Sequence, residues 1–163
     1  LKTKRIERSF SMLSPNGSIY ASPHNYEDDF TKASAYRKAS FIHEMTHVYQ
    51  YQTNPVGSTV HALRYGRGDD YSELYKYKID EVDCFADLKL EAQADVVADY
   101  FLALEKYERY KSSYNKNKLL KYMDVLAPVF EEVRLKQKEL GLGRPSDLLP
   151  QSKITPTNPV PGV

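Results

Sequence analysis

In the run Phe41-Ile42-His43-Glu44-Met45-Thr46-His47, a glutamate sits between two histidines placed four residues apart. No other run constrains this chain as much, because the spacing has chemical meaning only on a helix. At about 3.6 residues per turn, His43 and His47 lie one above the other on the same face and can present two imidazole nitrogens to one cation. Glu44 is turned about 100° from His43, which lets its carboxylate reach water at the cation without becoming a ligand, the position of a general base. HExxH on a helix is a zinc-binding arrangement. A site of this kind needs three protein ligands and an open position, since a fourth protein ligand would make it purely structural. Ala39, Phe41, Ile42, Val48 and Tyr49 flank the motif at spacings that predict a buried helix, in which the histidines would need partners.

The third ligand has to come from elsewhere. The long-spaced form of the motif requires a glycine at position 50 and a histidine at position 53, and Gln50 and Thr53 exclude it. His24 and His61 have no helical context to direct them, though either could reach in from a loop. Glu91 is the better candidate. It lies in a second helical segment, Leu88 to Phe101, whose small residues Ala92, Ala94 and Ala98 permit close approach of two helices. Leu88, Ala92, Val96 and Tyr100 mark one apolar face, and Leu90, Ala94, Val97 and Phe101 mark another, so carboxylates on this helix are costly unless paired or bound to metal. Asp95, one turn beyond Glu91, could accept a hydrogen bond from the outer ring nitrogen of a ligand histidine and fix its tautomer.

These residues carry a family resemblance. The segment from Phe41 to Gln52, then Tyr75-Lys76-Tyr77, then the helix from Glu91 to Phe101 with its ExxxD spacing, resemble a zincin of the glutamate-ligand type. More narrowly, they resemble metallopeptidase-like domains of bacterial secretion and contractile-injection systems, including toxin domains of Rhs and VgrG type. Pro15-Asn16-Gly17-Ser18-Ile19-Tyr20 followed by Asp29-Phe30 is similar to the segment those domains place before the metal helix. The resemblance covers roughly positions 15 to 105. Tyr49 stands where those domains often carry tryptophan. The resemblance implies His43, His47 and Glu91 as zinc ligands and Glu44 as catalytic base. It also implies a mainly α (α+β), zincin-like fold, with the metal helix and the glutamate helix packed together beside a small sheet of short strands.

Amide hydrolysis also needs a donor for the oxyanion of its tetrahedral intermediate. Between the two metal segments, His61, Arg64, Tyr65, Tyr75 and Tyr77 are candidates. Tyr75 and Tyr77 alternate as strand residues would, and Tyr77 ranks first for its nearness to the second helix. The 14 tyrosines, against no tryptophan, are mostly amphipathic packing residues.

At 163 residues the chain suits one domain, here residues 1–143, followed by a proline-rich tail or linker over 144–163 with Pro145, Pro150, Pro156, Pro159 and Pro161. A net charge of +1 gives no electrostatic reason to expect a nucleic-acid or anionic-membrane partner, and none is expected. No run approaches the roughly 20 apolar residues of a membrane span, and no basic-then-apolar leader is present, so the chain reads as soluble. The start at Leu1 fits a fragment, a processed product or the terminal piece of a longer polypeptide. Cys84 cannot form an intramolecular disulfide and reads as a small buried hydrophobe.

Along the chain, residues 1–14 read as an arm or partial helix and Ser18 to Ser22 as a short strand. Ile19-Tyr20 is the candidate strand edge for pairing with an extended substrate. Asp28, Asp29 and Thr31 supply helix-start chemistry for the metal helix, which Asn54-Pro55 stops. Val56 to Asp70 reads as a loop that could wall the cleft, 86–111 as the glutamate helix, and 115–139 as a third helix kinked at Pro128. Leu119, Leu120, Met123, Leu126, Val129, Phe130 and Val133 form its apolar face.

Two functions remain open. One is a zinc-dependent hydrolase, foremost a peptidase acting on a polypeptide or peptide, with an amidase acting on cell-wall peptide as its variant. The other is a catalytically silent zinc-binding interaction domain of a secretion assembly. Glu44, which a purely structural site does not need, favours the hydrolase. The resemblance adds a toxin or effector role, secretion or delivery by a bacterial secretion system, and a carrier or cognate inhibitor protein as partner.

Overall fold

The computed structural model describes residues 3–5, 12–58 and 71–142. His61, Arg64, Tyr65 and the proline-rich tail lie outside them. The architecture is mainly α with a small sheet. Strands β1 (Thr3–Arg5), β2 (Met12–Leu13) and β3 (Ile19–Ala21) precede helices α1 (Ala35–Thr53), α2 (Leu90–Tyr110), α3 (Ser113–Leu126) and α4 (Glu131–Glu139).

The sheet order is β1-β3-β2, with β1 parallel and β2 antiparallel to β3. The N-terminal segment thus contributes strands where an arm or partial helix was expected. β3 falls where the alternation placed it, but it is the central strand. Its hydrogen-bonding edges are both taken, so Ile19-Tyr20 cannot serve as a docking edge for substrate. The turn between β2 and β3 depends on Gly17. Its φ of +74° lies in the left-handed region, and a Cβ there would meet the Tyr51 ring of α1 at 2.9 Å. The glycine thus lets the hairpin lie against α1.

Asp29 caps a 3-10 turn at Phe30–Lys32, and α1 itself starts on Ser34, whose side chain accepts from Arg37 N. The helix ends at Thr53 as expected, and residues 55–58 are a further helical turn where the sequence read as loop. On α1, Ala39, Glu44, Thr46, Val48 and Gln50 are buried, whereas Tyr49 and Met45 are exposed. Three of these five buried residues are polar, unlike the apolar envelope the flanks predict. Val48 closes a small core with Met12, Ile19 and Ala21.

The glutamate helix starts at Leu90, after a 3-10 turn at Phe85–Asp87, and its alanines Ala92, Ala94 and Ala98 are buried. α1 and α2 make the most extensive contact between elements, as the small residues require. The predicted third helix is two helices. Pro128, which lacks an N–H, falls in the turn between α3 and α4, so the break is complete where a kink was expected. Leu119, Tyr122, Met123, Leu126 and Val133 build the larger core with Phe85 and Val96. Val129 is exposed. Cys84 is exposed too, at the start of the 3-10 turn, and not the buried hydrophobe it resembled.

Candidate functional site

α1 and α2 bring together the side chains that the spacing singled out. His43 Nε2 lies 3.1 Å from His47 Nε2, and Glu91 Oε2 lies 3.0 Å from His47 Nε2 and 3.4 Å from His43 Nε2. Among the described residues no fourth histidine, cysteine, aspartate or glutamate joins these three. His24 is exposed and not part of the group.

The outer ring nitrogens decide what the inner ones offer. His43 Nδ1 lies 2.8 Å from Asp95 Oδ1, a carboxylate oxygen that can only accept, so Nδ1 carries the hydrogen. His47 Nδ1 lies 2.7 Å from Gln50 Oε1. The amide nitrogen of Gln50 donates to Leu90 O, which leaves its oxygen to face His47 and again places the hydrogen on Nδ1. Both Nε2 atoms therefore turn lone pairs inward, toward an oxygen of Glu91. Three such pairs this close repel unless a cation or a proton lies among them. A tetrahedral site with bonds of about 2.0–2.1 Å has ligand edges of about 3.3–3.4 Å, close to the size of this triangle. Two imidazoles and a carboxylate suit zinc and its transition-metal neighbours better than magnesium or calcium.

Electrostatics point the same way. Burial works against charge on His43, but its hydrogen bonds to Asp95 and Glu91 and the field of Glu44 outweigh it and push the pKa up to about 9. Burial likewise opposes charge on His47, and Glu91 overcomes it to raise the pKa. Burial alone would raise Glu91, yet the two imidazoles hold its carboxyl far below the usual carboxylate range. In the metal-free molecule a proton thus does what a cation would do.

Glu44 is only 9% exposed and accepts a 2.6 Å hydrogen bond from Ser14 Oγ, just beyond β2. It stands outside the three-atom cluster, as its turn of the helix dictates. Together with His43, Asp95 and Asp99 it lines a cleft of about 470 Å³, to which Met12 of β2 and Tyr36 of α1 also contribute. The cleft reaches His43 from the side of Glu44.

Tyr75 and Tyr77 do not form a strand. The Tyr75 ring lies over His43, with centroids 6.2 Å apart and planes 17° apart. Tyr77 packs against the larger core and donates its hydroxyl to Asp99 Oδ2, toward which Tyr122 Oη also points at 3.4 Å. Burial, then the Asp99 bond, push the Tyr77 phenol well above its ordinary range. Sequence reasoning missed Ser14, Gln50 and Asp99. Gln50 stands three residues after His47 on the same helical face, and Asp99 extends the four-residue series of Glu91 and Asp95, so both left a signal. Ser14 left none, because its contact with Glu44 spans 30 residues of chain.

The chain is similar to a secretion-system protein. Over 105 residues, 64% of its length, it is 36% identical to the type VI secretion system spike protein VgrG2b of Pseudomonas aeruginosa. It spans 10% of the length of that protein. It also matches the solved effector domain of Pseudomonas aeruginosa VgrG2b at 30% identity and a TM-score of 0.48, covering 64% of this chain and 63% of that one. No family model matches the chain. No helix among the described residues is long and apolar enough to cross a membrane.

Proposed function

We propose that this chain is a zinc-dependent hydrolase, a peptidase of the glutamate-ligand zincin type, acting as an effector delivered by a bacterial secretion system. The observation that carries the reading is the convergence of His43 Nε2, His47 Nε2 and Glu91 Oε2 within 3.4 Å, with Glu44 beside them but outside the cluster. His43, His47 and Glu91 hold the metal, and Asp95 orients His43. Bound zinc supplies Lewis acidity, polarising a scissile carbonyl and bringing the pKa of water to about 7.

Glu44 takes the proton of the attacking water and returns it to the departing amine. Ser14 fixes one oxygen of that carboxylate, so that Glu44 meets the cleft in a defined orientation. The role of oxyanion donor, expected at Tyr77, fits Tyr75 better. Tyr75 lies against His43, whereas the Tyr77 ring packs against the larger core. Tyr77 then acts as a clamp that ties the segment carrying Tyr75 to α2. A peptide or polypeptide is the substrate, and a secretion-system carrier and a cognate inhibitor protein are the partners. The similarity to a type VI spike protein supports delivery of this kind.

The test joins metal content to a peptide-library assay. Glu44→Gln should bind zinc as the native chain does and lose roughly 10²–10⁴-fold in cleavage rate. Glu91→Ala should lose the metal. Equal cleavage by the native protein and Glu44→Gln would sink the proposal.

A further inference from the structure

Gln50 is 6% exposed, and its amide is satisfied on both sides. Its oxygen accepts from His47 Nδ1 at 2.7 Å, while its nitrogen donates to Leu90 O and to Gln93 Oε1, each at 2.9 Å. Gln93 in turn donates from its nitrogen to Phe85 O at 3.2 Å and Leu88 O at 3.1 Å. Every amide orientation in this series is forced. The carbonyls of Phe85, Leu88 and Leu90 can only accept, so each glutamine must turn its nitrogen toward them. The Gln93 oxygen is then left to face Gln50, and the Gln50 oxygen to face His47. Flipping either amide would set oxygen against oxygen in a buried place, which is strongly unfavourable.

Two consequences meet at the candidate metal centre. The proton on His47 is assigned to Nδ1, so its Nε2 lone pair points at Glu91. In addition, the bond from Gln50 to Leu90 O ties α1 to the residue just before Glu91, which sets how far along α1 the carboxylate arrives. His43 reaches the same tautomer through a charged partner, Asp95, but His47 does so through a neutral one. A second carboxylate at position 50 would face two acceptor oxygens and add a buried negative charge beside Glu91.

We propose that Gln50 and Gln93 form a positioning relay, in which backbone carbonyls ahead of and within the first turn of α2 dictate the tautomer of His47 and the register of Glu91 against it. The proposal rests on the metal-site reading above and goes beyond it by naming what assembles that site. Gln93 acts solely through Gln50.

The test measures zinc affinity of the full chain by chelator competition in Gln50→Met, Gln93→Met and the double variant. Methionine conserves the length and volume of the side chain and removes its polar atoms. Gln50→Met should bind zinc about 10–100-fold more weakly, the usual consequence of losing a partner behind a ligand histidine. Gln93→Met should lose less, because Leu90 O still holds the Gln50 amide. The double variant should be no weaker than Gln50→Met alone, the signature of two residues acting in series. Cobalt substitution should shift the d–d spectrum in both single variants, which a merely structural role would leave unmoved. Native affinity in Gln50→Met, or losses that multiply in the double variant, would overturn the relay. Should Gln50→Met fail to fold, a folded Gln93→Met decides, weakened zinc binding with a shifted cobalt spectrum supporting the relay and native behaviour overturning it. The relay fails alone if the native chain cleaves peptide and Gln50→Met holds zinc as tightly. The peptidase reading fails alone if the variants lose zinc as stated but the native chain cleaves nothing. A native chain that takes up no zinc overturns both.

Discussion

Zinc uptake should expel a proton from His43, and the number can be worked from the geometry. Asp95 and Glu91 hold the imidazolium so that its pKa is about 9, against an ordinary value of 6.5. At about pH 8 the metal-free site therefore keeps roughly nine-tenths of a proton on His43, where an unperturbed histidine would keep less than a tenth. That proton occupies the Nε2 lone pair the metal needs, so binding must release it. Apparent zinc affinity should climb at least about tenfold per pH unit below the folded His43 pKa of about 9, since His47 with its raised pKa must give up a proton too, and level off above it.

The sign for stability is the reverse. A pKa raised on folding stabilises the metal-free protein fully below 6.5, and that contribution disappears as pH rises through about 9. With the His43 side chain 14% exposed, the shift corresponds to about 3 kcal/mol as an order of magnitude. Titration calorimetry in buffers of different ionisation enthalpy counts the protons directly. Water on the metal contributes alike in any variant that still binds, so a comparison with Asp95→Asn isolates His43. The variant should release several tenths of a proton fewer at about pH 8. Equal release by both proteins, or an affinity flat across this window, would refute the account of His43.

Three further outcomes follow from single contacts. Ser14→Ala removes the hydrogen bond to Glu44 without touching a metal ligand; peptide-cleavage kinetics should lose about tenfold or more in kcat, with zinc content unchanged on elemental analysis. Tyr77→Phe deletes the bond to Asp99; it should cost about 1–2 kcal/mol in denaturant unfolding while leaving zinc affinity intact, and complete loss of cleavage in a stable variant would return the oxyanion role to Tyr77. Gly17→Ala should lower stability by about 1–3 kcal/mol, because its φ of +74° and the Tyr51 ring 2.9 Å from the added carbon oppose any side chain; a native melting temperature would contradict this.

How much of the site was legible follows from which contacts are local. His43, Glu44 and His47 belong to one helix, and helical period alone puts the imidazoles on one face with the glutamate turned aside. Gly17, Asn54-Pro55 and the alanines of α2 were readable for the same reason, since turn, stop and close approach are written into residue type. Pro128 was read as a kink because proline marks a disruption without saying whether the helix resumes. The central place of β3 was invisible, since its neighbours come from segments too short to announce themselves as strands.

The chain alone thus determined which residues could present metal-binding nitrogens and which helix could answer them, because those properties follow from side-chain chemistry and backbone period. Only the tertiary structure decided that Glu91 stands 3.0 Å from His47, that Ser14 and Gln50 hold Glu44 and His47, and that Tyr77 turns to Asp99 while Tyr75 meets His43. Each of those outcomes is a packing distance between segments remote in sequence. Such distances arise from how the two helices settle against one another and the sheet, a sum over many contacts that no local pattern encodes.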